Sequence, residues 1–168
     1  MKNILIVLLG IVSISISAQD LPTPPTEGFS FPLGSKFTLK LHPVDSVNYT
    51  ISVIAFEGFS EIVDTFNKSH LFQDEGEENT IVGYFCLSTF GITEEEMDKN
   101  MKVSFIFKSF CKDHLEYKSD IQKTEEGAFE FTSNLGMFSK AIGNEMWPYM
   151  IHYIALHSFQ KIIILDEE

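Results

Sequence analysis

The sequence predicts an α+β domain: an antiparallel sheet of five to seven strands, covered by a C-terminal helix and by one short helix. Three observations carry the prediction. Apolar and polar residues alternate cleanly over 36–42 and again over 114–122, the signature of half-buried strands. The stretches between successive strand-like segments are short, which favours antiparallel neighbours. The tail 147–159 is apolar almost all round, with Pro148 where a first helical turn accepts proline. Because most of the middle of the chain reads as strands, an all-β sandwich or barrel with small helices is the alternative.

The elements follow in order. Lys2, the apolar run 4–12 and then Ser13, Ser15, Ser17 and Ala18 have the three-part pattern of a secretory signal peptide over 1–18, cleaved near Ala18. Serines interrupt the run after roughly nine residues, short of the about 20 that span a bilayer, and no cysteine near the cut supports a lipid anchor. The mature chain is therefore expected in a periplasm or outside the cell, without a stable membrane anchor. Residues 19–35, rich in proline and glycine, read as an extended leader that joins the fold late, with Phe29, Phe31 and Leu33 tucking it against the body. A single globular domain is expected over 36–168, a common domain size.

Phe37, Leu39 and Leu41 form one side of the first strand, and 47–56, rich in β-branched and aromatic residues, pairs with it as a hairpin across 43–46. Ser60 offers an N-cap for the short helix, whose apolar face carries Ile62, Val63 and Phe66 and which ends near Ser69. Residues 80–90 are apolar in both parities and so predict a central strand with cover on both sides. Thr93 and Glu96 form a capping-box pattern for one or two helical turns. From Val103 onward, Phe105, Phe107, Cys111, Leu115, Tyr117 and Ile121 share a parity, fitting one long bent strand or two strands joined near Lys112-Asp113. Phe129 and Phe131 mark another short strand, and 162–165 a last one.

Composition excludes whole classes of function. There are 12 lysines, no arginine and 24 acidic residues, for a formal charge of −12. Nucleic acid is not an expected partner, since phosphate binding needs clustered cations and the bidentate fork is supplied by arginine alone. Sixteen phenylalanines and 44% hydrophobic residues predict a large aromatic core that either packs solid or encloses an apolar ligand.

In an exported chain, Cys86 and Cys111 are candidates for a disulfide if the strands around them pair with Cys86 facing Cys111, Ser88 facing Ser109 and Phe90 facing Phe107. The oxygen-rich stretch Asp74, Glu75, Glu77 and Glu78 is a weak candidate cation loop, although it lacks the residue order of an EF-hand and reads more simply as a solvated acidic turn. His152 and His157 are five apart, a spacing that turns them away from each other on helix or strand. No nucleophile elbow, zinc-protease, Walker or dinucleotide motif is present, so no catalytic, metal-binding or cofactor-binding residue is assigned and no cofactor is expected.

The reading that follows is an exported, small, acidic, non-catalytic binding protein for a protein partner or an apolar small ligand. The alternatives are a small carboxylate-dependent hydrolase, with or without His42, His70 or His114 as base, and a surface structural component.

Overall fold

A computed structural model describes residues 21–163. The stretch read as a signal peptide, 1–18, and the end of the strand expected over 162–165 lie outside the described residues. Ten strands form one antiparallel sheet, interrupted only by one short parallel pairing, that curls into an eight-strand half-barrel with two strands added on the sides. They are β1 (Gly28–Pro32), β2 (Ser35–Pro43), β3 (Asn48–Gly58), β4 (Val63–Asp64), β5 (Thr80–Thr89), β6 (Lys102–Ser109), β7 (Leu115–Gln122), β8 (Glu130–Thr132), β9 (Ile142–Trp147) and β10 (Tyr153–Lys161). The order across the sheet is β8-β7-β10-β3-β2-β5-β6-β9. β1 pairs with β10, and β4 lies parallel to β5. None of the helices among the described residues is long and apolar enough to cross a membrane.

The α+β prediction is therefore corrected, and the all-β alternative lies nearer the architecture. The expected C-terminal helix does not exist: Trp147 ends β9, Pro148 sits in the connection, and β10 follows. The reason is physical. β10 has neighbours on both edges, β1 and β7, and apolar side chains on both faces, so Ile154 and Leu156 face the core while Ala155 is buried on the other side. A strand buried on both faces loses the alternation that distinguishes it from a buried helix.

The short helix expected after Ser60 is replaced by β4 and a 3-10 helix at Thr65–Leu71. Asp64 supplies the cap instead, accepting from the Phe66 N–H at 2.9 Å, and no residue of that helix is buried. The other helix, α1 (Glu94–Lys99), carries the full Thr93/Glu96 capping box.

The leader is not peripheral. Thr23 and Thr26 bond the backbone of β3 at Val53 and Ile51, and β1 then runs along β10, so 23–32 bridges the first half of β10 to β3. Phe29 and Phe31 are buried. The hairpin of β2 and β3 forms as expected, its turn fixed by Asp45, whose carboxylate accepts from Val47 N at 2.8 Å and Asn48 N at 2.7 Å.

Phe31, Phe37, Phe85, Phe105 and Phe159 are wholly buried on the concave side, with Phe31 and Phe37 stacked at 3.6 Å between centroids. Gly83 makes this possible, because a Cβ there would lie 2.7 Å from the Phe37 ring and 2.8 Å from Phe105. A smaller cluster of Val63, Tyr84, Cys86 and Ile106 covers the outer face of β5 and β6, with Phe59, Leu71 and Phe72 from the segment before β5 packed on it. That cover explains why β5 is apolar in both parities.

Candidate functional site

β6 and β7 point their odd-numbered side chains inward, and the cross-strand register places Trp147 beside Val103, Glu145 beside Phe105 and Gly143 beside Phe107. Glu145 therefore faces the concave side of the half-barrel, since directly opposed residues share a face. A side chain at Gly143 would run into the Phe107 ring, so the glycine lets that ring lie under β9.

The two ends of the sheet path, β8 and β9, meet without pairing through their backbones. Two side-chain hydrogen bonds cross the gap between them and leave the backbone edges unpaired. The Tyr117 hydroxyl of β7 donates to Glu145 Oε1, and Trp147 Nε1 donates to Thr132 Oγ1 of β8 at 3.1 Å. Asn134 Nδ2 reinforces the β7 side, bonding Tyr117 O at 3.0 Å and Ser119 Oγ at 3.1 Å.

The seam holds a chemical anomaly. Glu145 Oε2 is buried and, among the described residues, has no hydrogen-bond partner. Burial pushes the carboxyl up to about 7, against the opposing effect of the Tyr117 hydrogen bond. Burial and the nearby Glu145 charge raise Tyr117 well above the ordinary tyrosine range. Asn144 Oδ1 is also buried and unpaired, but its position alternates to the outer face beside Ile106.

The backbone of β9 is equally incomplete. Ser109 N–H donates to Ala141 O at 3.1 Å, so by antiparallel alternation Gly143, Glu145 and Trp147 bond β6, while the backbone groups of Ile142, Asn144 and Met146 face the free edge. Large exposed apolar side chains gather along the same border: Phe131 at 70% exposure, Leu135 at 91%, Phe138, Met146, Tyr149 and Met150. β9 carries no lysine or proline to guard its edge.

The residues singled out from sequence lie elsewhere. In the acidic loop, Glu77 pairs with Lys40 at 2.6 Å and Glu78 with Lys112 at 3.0 Å. Lys40 also donates to Glu78 O at 2.7 Å, while the ammonium of the buried Lys108 donates to Gln73 O at 2.5 Å and Asp74 O at 3.2 Å. Lysines thus engage the Glu77 and Glu78 carboxylates and the carbonyls of Gln73, Asp74 and Glu78. Among the described residues, no group of three or more His, Cys, Asp or Glu is arranged to hold a metal ion. The Phe110 ring packs on Gly76, with open grooves of about 300 and 340 Å³ on the two sides of the loop.

The two cysteines are free and buried. β5 and β6 do pair, but Cys86 faces Ser104 and Ser88 faces Lys102, which differs from the register a disulfide requires. Cys86 belongs to the outer cluster and Cys111 to the concave core. Burial pushes the Cys86 thiol up to about 12 and raises Cys111 as well.

The histidines are dispersed. His42 bonds Ser52 Oγ at 2.7 Å, His70 bonds Asn67 O, and His114 accepts from Ser139 N at 3.0 Å. His157 lies between Asp120 Oδ2 at 3.2 Å and Ser158 Oγ at 2.9 Å, on the convex face where β10 bulges and Ser158 takes a φ of 54°. The alignment resembles a nucleophile relay. However, the Ser158 N–H, which would be the natural first donor to an oxyanion, is directed to Glu27 O at 3.3 Å.

No protein family, curated protein or solved structure matches this chain. Sequence reasoning passed over Glu145 and Tyr117. The available signal was a lone acid within the otherwise uncharged run Ile-Gly-Asn-Glu-Met-Trp, at the parity of an inward-facing position.

Proposed function

We propose that the protein is an exported, non-catalytic binding protein whose partner is another protein, taken up as an extended segment along the free edge of β9. The observation that carries this reading is the coincidence of three deficits at one place: unpaired strand backbone, exposed apolar side chains and an orphaned polar oxygen. Strand addition uses such an edge, with main-chain hydrogen bonds giving affinity and alternate side chains giving selectivity.

The interior argues against the other arm of the binding class. Stacked and tilted rings, Phe31 on Phe37 and Phe105 at 5.0 Å from Phe107, fill the space an apolar ligand would need. A carboxylate-dependent hydrolase is less well supported, because Glu145 has neither a second acid nor a histidine as its hydrogen-bond partner in the seam.

Selection of displayed ten-residue peptides against the purified protein, followed by affinity measurement, tests the proposal. Met146→Pro removes one free-edge N–H while leaving the β6 ladder intact, and proline is tolerated at such positions. The expected result is a native-like circular dichroism spectrum with peptide affinity weakened by about tenfold or more, since the N–H is a direct contact. Undiminished binding by this variant would refute the edge as the site.

A further inference from the structure

We infer that Glu145 is the selectivity determinant of the β9 edge, and that it requires a cationic side chain, lysine or a similar amine, at one inward position of the bound segment. This rests on the strand-addition reading above. Glu145 is a hydrogen-bonded partner of Phe105 on β6, so toward a strand added antiparallel at the free edge it occupies a non-hydrogen-bonded position, where opposed side chains approach most closely. The residue that pairs with it from an added strand shares its inward face, beside the unpaired Oε2.

Among the described residues, no cation pairs with that oxygen. Tyr117 faces it from β7, the neighbouring inward residues Val103, Phe105 and Phe107 on β6 carry no charge, and Thr132, Trp147 and Asn134 complete the polar lining. A buried carboxylate without a counter-charge is strongly unfavourable, so an incoming ammonium is worth more here than on an open surface. Charge also decides the kind of partner. A second copy would bring another formal charge of −12 and no arginine, whereas a basic segment is complementary to the whole molecule. On the border, Glu125 and Glu126 are exposed and Glu130 is paired only with Lys123.

The experiment compares two versions of a selected peptide, identical except for lysine or norleucine at the position opposite Glu145, binding to wild-type protein, Glu145→Gln and Met146→Pro at pH 5.5 and pH 8.5. The lysine peptide is expected to bind wild type about tenfold or more tightly than the norleucine peptide at pH 8.5. The preference should shrink at pH 5.5, where the carboxyl is protonated, and vanish in Glu145→Gln at both pH values. An equal preference in Glu145→Gln overturns the inference. Binding that Met146→Pro abolishes but that never discriminates lysine from norleucine also overturns it, while leaving the edge intact as the site. Binding indifferent to Met146→Pro removes both.

Discussion

At the scale of single residues, Glu145 concentrates the unusual chemistry of the molecule. Its carboxyl is raised from 4.5 to about 7 in the folded state, so the native protein holds a proton that the unfolded chain has already released. Stability is therefore full below about 4.5, declines as pH rises through about 7, and stays at the lower level above that. Glu145→Gln is expected to be more stable than wild type at pH 8, by on the order of 2–3 kcal/mol, with the advantage shrinking toward pH 4. Urea unfolding at the two pH values measures this, and a pH-independent difference would contradict it. Such a residue is hard to find from sequence. Twenty-four acids are present, and what distinguishes this one is long-range pairing: β6 beneath it and Tyr117 across the seam.

Among the elements, legibility followed exposure. β2 and β7 face water on one side, and their alternation marked them correctly. β10 is covered on both faces, and its composition was equally suited to a helix. The bulge at Ser158 adds to the difficulty by keeping Phe159 in the core three residues after Leu156, so the inward positions break their two-residue period. The acidic stretch 73–79 was recognisable as a loop, but not what holds it. Lys108, a β6 residue only 9% exposed, donates to two of its carbonyls while its ammonium lies 5.1 Å from the Phe110 ring centroid. Lys108→Met keeps the apolar stem and deletes those bonds. The loop should then be cut faster by a glutamate-specific protease, while the rest of the chain keeps its resistance. Unchanged cleavage would mean that the Lys40 and Lys112 ion pairs suffice.

For the whole molecule, the sequence reading recovered an aromatic-rich core and antiparallel sheet but not the strand order that curls the sheet into a half-barrel. That order depends on which strands become neighbours, and local periodicity carries no such information. The segment treated as a leader bridges β10 to β3, with Phe29 and Phe31 in the core. A protein lacking 21–34 should therefore lose cooperative thermal unfolding and bind hydrophobic dyes, rather than behave as a trimmed native domain. Retention of a sharp transition would show that 23–32 is dispensable. The same pairing governs when the fold can exist at all. Because β1 docks against β10, a nascent polypeptide cannot complete this architecture until residues 153–157, more than 120 positions after β1, have emerged from the ribosome.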